Sequence, residues 1–117
     1  MSIQRIAPGP RMSRAVVYGG MVFLSGQVDD SANDVTGQTK AVLAKLDALL
    51  AESGSDRAHL LSASIWLADI ATFDEMNAVW ETWIDRNAPP ARATVEAALS
   101  SPKYLVEIAL IAAVSRT

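Results

Sequence analysis

The closing segment YLVEIALIAAV, residues 104–114, constrains the fold more than any other stretch. Successive side chains of a strand point to opposite faces. Here both alternating sets are apolar apart from Glu107. A strand of that kind is buried on both sides. Two helical segments lie upstream, and they must pack on one face of a single sheet. The sequence offers no third layer, so a second copy of the chain is the expected cover for the other face.

The remaining segments supply the partners of this strand. SIQRI reads as a short strand ended by Pro8-Gly9-Pro10. RAVVYGGMVFLSGQV places two β-rich runs around Gly19-Gly20, the signature of a two-residue hairpin turn. In that register Tyr18 faces Met21, Val17 faces Val22 and Arg14 faces Ser25. A first helix follows the polar DDSAND loop, with Val35, Val42, Leu46, Leu49 and Leu50 on one stripe. Asp34 is its expected N-cap and Gly54 its stop. LLSASIWL (60–67) predicts a strand with Leu61, Ala63, Ile65 and Leu67 on one face. Thr72 and Glu75 predict a capping box for a second helix. Phe73, Met76, Trp80, Trp83 and Ile84 give that helix its apolar face. Asn87-Ala88-Pro89-Pro90 closes it, and ARATVEAAL (91–99) forms a fifth strand. The predicted order is β, β-hairpin, α, β, α, β, β: an α+β fold in one domain spanning 1–117.

Composition removes several classes of function. Half of the 117 residues are hydrophobic and a fifth are charged, as in globular proteins. The net charge is −3 with no basic run, so no nucleic-acid partner is expected. No segment reaches the ~20 apolar residues that cross a bilayer, and the N-terminus lacks the apolar core of a signal peptide. Cysteine is absent, which removes disulfides, thiolate catalysis and thiolate metal sites. One histidine, His59, cannot build a His-based metal cluster. These residues offer no thiolate or histidine metal site, and the expected location is cytoplasmic.

Three polar residues stand in apolar surroundings. Alternation sets Arg92, Thr94 and Glu96 on one face of the fifth strand, and Ala91, Ala93 and Val95 on the other. Arg92, at the strand start, carries a planar donor fork that matches a carboxylate bidentately; an ordinary ion pair would use the same fork. Glu107 shares its face with Leu105, Ala109 and Ile111, where a carboxylate is costly unless paired or hydrogen-bonded. It suits proton exchange with water, or pairing with an arginine from a neighbouring chain. Asn77 interrupts the row Phe73, Trp80, Ile84 and must find a partner if buried. Ser25-Gly26 ends the hairpin opposite Arg14, and the hydroxyl there is either a strand terminator or a cleft group.

MVFLSGQV, FDEMNAVWETWI, PPARATVEAAL and YLVEIALIAAV together resemble the Rid/YjgF family of reactive intermediate deaminases. RMSRAVVYGGMVFLSGQV and SIWLADIATFDEMNAVW resemble its YoaB-like branch. The likeness covers nearly the whole chain in the right order. It implies a chorismate-mutase-like α+β fold and a homotrimer with clefts between subunits. It also implies cofactor-free hydrolysis of 2-imino or enamino acids to 2-oxo acids and ammonia. By this resemblance Arg92 clamps the substrate carboxylate and Glu107 stands near the attacking water. Ser25 and Asn77 fall near the cleft, and Thr94 stands where many relatives carry cysteine. The chain departs at Met12, which occupies the place of a cleft tyrosine in many members. A cleft that binds a small carboxylate without turning it over is the alternative reading.

Overall fold

The computed structural model describes residues 2–115. Met1, Arg116 and Thr117, part of the expected 1–117 extent, lie outside the described residues. The strands are β1 (Gln4–Ile6), β2 (Ala15–Tyr18), β3 (Met21–Gln27), β4 (Leu60–Leu67), β5 (Ala91–Glu96) and β6 (Val106–Ala113). The helices are α1 (Val35–Glu52) and α2 (Phe73–Trp83). All six strands form one mixed sheet in the order β1-β2-β3-β6-β4-β5. Every pair is antiparallel except β4 and β5, which run parallel. A parallel pair needs a long crossover, and α2 supplies it.

Local chemistry sets the element ends. Gly19 and Gly20 both have positive φ, at 61° and 78°, as a type I′ turn requires. That turn fixes the Tyr18–Met21 and Val17–Val22 pairs as read from the sequence. The Asp34 side chain accepts from the Gly37 N–H at 2.8 Å and caps α1. Gly54, at φ 77°, ends it. The Gly54 N–H donates to Ala51 O, and the Ser55 N–H to Leu50 O at 2.8 Å, forming a Schellman close.

The expected capping box of α2 does not form. The Thr72 hydroxyl donates instead to the Asp69 carbonyl, so its side chain makes no cap bond. Glu75 turns away to accept from the Thr36 N–H and hydroxyl, both at 3.0 Å, at the start of α1. A tertiary partner with two donors outcompetes the local one. Two strand readings also change. Leu61 is exposed, because an irregularity between Leu60 and Ser62 turns Leu60 inward in its place. β5 stops at Glu96, short of residue 99.

Both helices pack on one face of the sheet. Val22, Leu24, Ala63, Ile65, Leu67, Val106, Ile108 and Leu110 meet Val42, Leu43, Leu46, Leu50 and Met76 there. Each large aliphatic side chain so buried contributes about 1.5–3 kcal/mol relative to exposure. Among the described residues the opposite face carries no layer. β6 alternates along its length between fully buried residues and the half-covered Glu107, Ala109, Ile111 and Ala113. Met21 and Phe23 on β3 and Val95 on β5 are exposed beside them, and Trp66 on β4 is half-buried.

Candidate functional site

The polar residues singled out by the sequence fall into two groups on opposite faces of the sheet. Arg92 lies in register with Ala63, and Thr94 with Ile65, so both point to the helix side. Glu107 lies opposite Trp66 and points to the open side. Arg92 and Glu107 therefore do not line a common pocket within one chain. Alternation told which residues of one strand share a face. The parallel β4–β5 pairing, which the sequence does not display, set the two strands' faces against each other.

The Arg92 group sits at the edge strand beneath α2. One guanidinium nitrogen donates to the Asn77 side-chain oxygen at 2.6 Å. The guanidinium carbon lies 5.7 Å from the Phe73 ring centre and 5.5 Å from that of Trp80. Phe73, Asn77 and Trp80 are spaced at i, i+4 and i+7, so one helical face presents ring, amide and ring. Burial lowers the Arg92 pKa, and the nearby Glu81 charge partly opposes this. An arginine stays protonated through such a shift. Among the described residues no carboxylate forms an ion pair with Arg92. The Thr94 hydroxyl, on the same face, is buried without a hydrogen-bond partner among the described residues. The group is thus a held cation, flanked by rings, with donors to spare.

The second group surrounds a bulge in β3. Leu24 pairs with Leu110 and Gln27 with Ile108, which leaves one extra residue in β3 at Ser25–Gly26. Gly26 stands so close to the Glu107 carboxylate that a Cβ there would overlap it. The Ser25 hydroxyl donates to the Arg14 carbonyl at 3.0 Å. The buried Gln27 amide donates to the Ser25 hydroxyl at 3.1 Å and to its carbonyl at 3.2 Å. Ser25, Gly26, Met12, Arg14, Lys45 and Tyr104 line a cavity of about 440 Å³, within the range of small-molecule sites. A smaller cavity of about 240 Å³ lies between α1 and α2, around Lys40, Asp47, Arg57 and Trp83. Two of its charges engage each other: Arg57 binds both Asp47 oxygens, and the Trp83 indole N–H donates to the same carboxylate.

Sequence reasoning set Arg92, Asn77, Thr94, Ser25, Met12 and Glu107 around one cleft; within one chain Arg92 meets Asn77 and shares its face with Thr94, Ser25 lines a cavity with Met12, and Glu107 lies on the face opposite Arg92. It missed the Phe73 and Trp80 rings as walls for Arg92, since their helical spacing reads as core. It also missed Gly26 and Arg14 as cavity residues. The signal for Arg14 was present in its pairing with Ser25. Among the described residues no group of acidic or histidine side chains is placed to hold a metal ion.

Comparison with known proteins gives a consistent picture. The family model described as Endoribonuclease L-PSP matches residues 2–114. A RutC family protein of Haemophilus influenzae is 41% identical over 114 residues, covering 96% of this chain and 98% of that one. The RutC family protein YoaB of Escherichia coli is 39% identical, covering 97% and 100%. A crystal structure of a YjgF family member from Neisseria meningitidis superposes with a TM-score of 0.98 at 44% identity, covering 100% of this chain and 98% of that one. With that match over residues 2–114, and with RutC and YjgF family proteins similar along nearly its whole length, the chain belongs to the Endoribonuclease L-PSP family.

Proposed function

We propose that this protein is a cytoplasmic hydrolase of 2-imino and enamino acids, releasing the 2-oxo acid and ammonia, and that it works as a homotrimer. The observation that carries the reading is Arg92. It is a partly buried guanidinium, fixed by Asn77 and two rings, with no acidic partner among the described residues. Such a cation is built to receive an external carboxylate. The apolar, uncovered sheet face around Glu107 supports assembly. In the proposed trimer that face of one copy meets the β5 edge of the next, so that Arg92 and Glu107 converge from different chains.

The chemistry asks little more. An imine carbon is electrophilic, and more so once its nitrogen is protonated. Water adds to that carbon, a proton passes to nitrogen, and the C–N bond breaks to leave a carbonyl and ammonia. Arg92 would orient the substrate through its carboxylate. Glu107 would hold the water and carry its proton. Ser25, Asn77, Thr94 and Met12 would border the substrate or position those that touch it. Cleavage of RNA, suggested by the family description, finds less support, because phosphate binding draws on clustered cations and this chain carries a net charge of −3.

The test generates imines in situ with an amino-acid oxidase and follows their decay. Arg92→Ala should lower kcat/KM roughly ten- to a hundredfold, as expected when a charge-assisted bond worth about 1.5–3 kcal/mol is lost. Unchanged decay with Arg92→Ala would refute the assignment. Binding of 2-oxo acids without any catalysed imine loss by the wild type would make the protein a carboxylate-binding module instead.

A further inference from the structure

The cavity beside Ser25 contains a cation that hydrolysis of a simple imine does not require. Arg14 is held at its backbone from both sides: its N–H donates to Ile6 O at 3.0 Å, and its carbonyl accepts the Ser25 N–H at 2.9 Å and the Ser25 hydroxyl at 3.0 Å. Its side chain is exposed and lines the cavity. That side chain makes no hydrogen bond or ion pair among the described residues. The other cavity cation, Lys45, is engaged: it donates to Val28 O at 2.7 Å and pairs with Asp29 at 2.9 Å. No carboxylate is among the residues that line the cavity. Glu107 is not among them, but its carboxylate lies against Gly26, which is.

We infer that Arg14 selects substrates with a second acidic group, so that the preferred class is 2-imino dicarboxylic acids. This rests on the imine-hydrolase reading above. With one carboxylate on Arg92 and the reacting carbon near Glu107, the remainder of the substrate extends into the cavity. A second carboxylate there would meet repulsion from Glu107 unless a cation answered it. Arg14 is the cation with an unengaged fork, and its fixed backbone places it beside Ser25. The cavity has room for the longer molecule.

Two readouts separate this inference from the activity beneath it. The first is binding, measured by titration calorimetry with 2-oxoglutarate and 2-oxobutanoate as stable probes. The wild type should bind the dicarboxylate at least about tenfold more tightly, as a charge-assisted bond allows. Arg14→Gln should abolish that ratio, and Arg14→Lys should keep part of it. The second is the ratio of kcat/KM for imines made from acidic and neutral amino acids, which should fall by a similar factor in Arg14→Gln. The inference is overturned if the wild type shows no preference between the probes, or if Arg14→Gln leaves the ratio intact. Failure to hydrolyse any imine would refute the enzyme reading while the binding ratio still decides the role of Arg14. A matching melting temperature for Arg14→Gln shows that the fold is intact.

Discussion

Arg92 owes its fixed position to a neighbour on another element. A guanidinium on an edge strand sweeps a wide arc unless something holds one nitrogen, and the Asn77 amide does so at 2.6 Å. Asn77→Ala removes this positioning while sparing the charge. Fitting it against Asn77→Asp and wild type should show KM rising severalfold, with the pH profile of kcat unmoved. Asp29 illustrates a different residue-scale effect. The Ser31 hydroxyl and backbone N–H, followed by Lys45, hold its pKa at about 2, against an ordinary 3.8. Between those values the unfolded chain binds more protons than the folded one, so stability falls as pH falls. The contribution is complete above about pH 4 and gone below about pH 2. The melting-temperature gap between wild type and Asp29→Asn should therefore be constant near neutrality and close in that acid window.

The elements show where local reading succeeds and where it gives out. The hairpin register was legible because a Gly-Gly pair permits the positive φ angles that the favoured two-residue hairpin turns require. The ends of α1 were legible because Asp34 and Gly54 act on backbone groups within a few residues. The start of α2 was not, because Glu75 found two donors on Thr36, which lies 39 residues away in the chain. A double-mutant cycle distinguishes the two arrangements. Thr36→Ala with Glu75→Ala should show a coupling of about 0.5–1.5 kcal/mol by denaturant unfolding, the ordinary net worth of a hydrogen bond. Thr72→Ala with Glu75→Ala should show almost none. The faces of β5 and β6 were each read correctly from alternation. Their mutual orientation was hidden because it passes through β4, antiparallel to one and parallel to the other.

For the molecule as a whole, that orientation matters more than any single contact. Arg92 faces the helices and Glu107 faces the open side, so no small rearrangement of one chain can bring them together. Each subunit of the proposed ring would lend its guanidinium to one neighbour and its carboxylate to the other. Genetic complementation should follow. Arg92→Ala and Glu107→Gln proteins, each strongly impaired alone, should regain turnover when unfolded together and refolded as a mixture. With random mixing, every hybrid ring holds one intact junction, so roughly a quarter of native activity should return. Light scattering would verify the three-subunit mass of the hybrids. Two damaged copies would then repair each other by exchange alone, with no reversion in either gene.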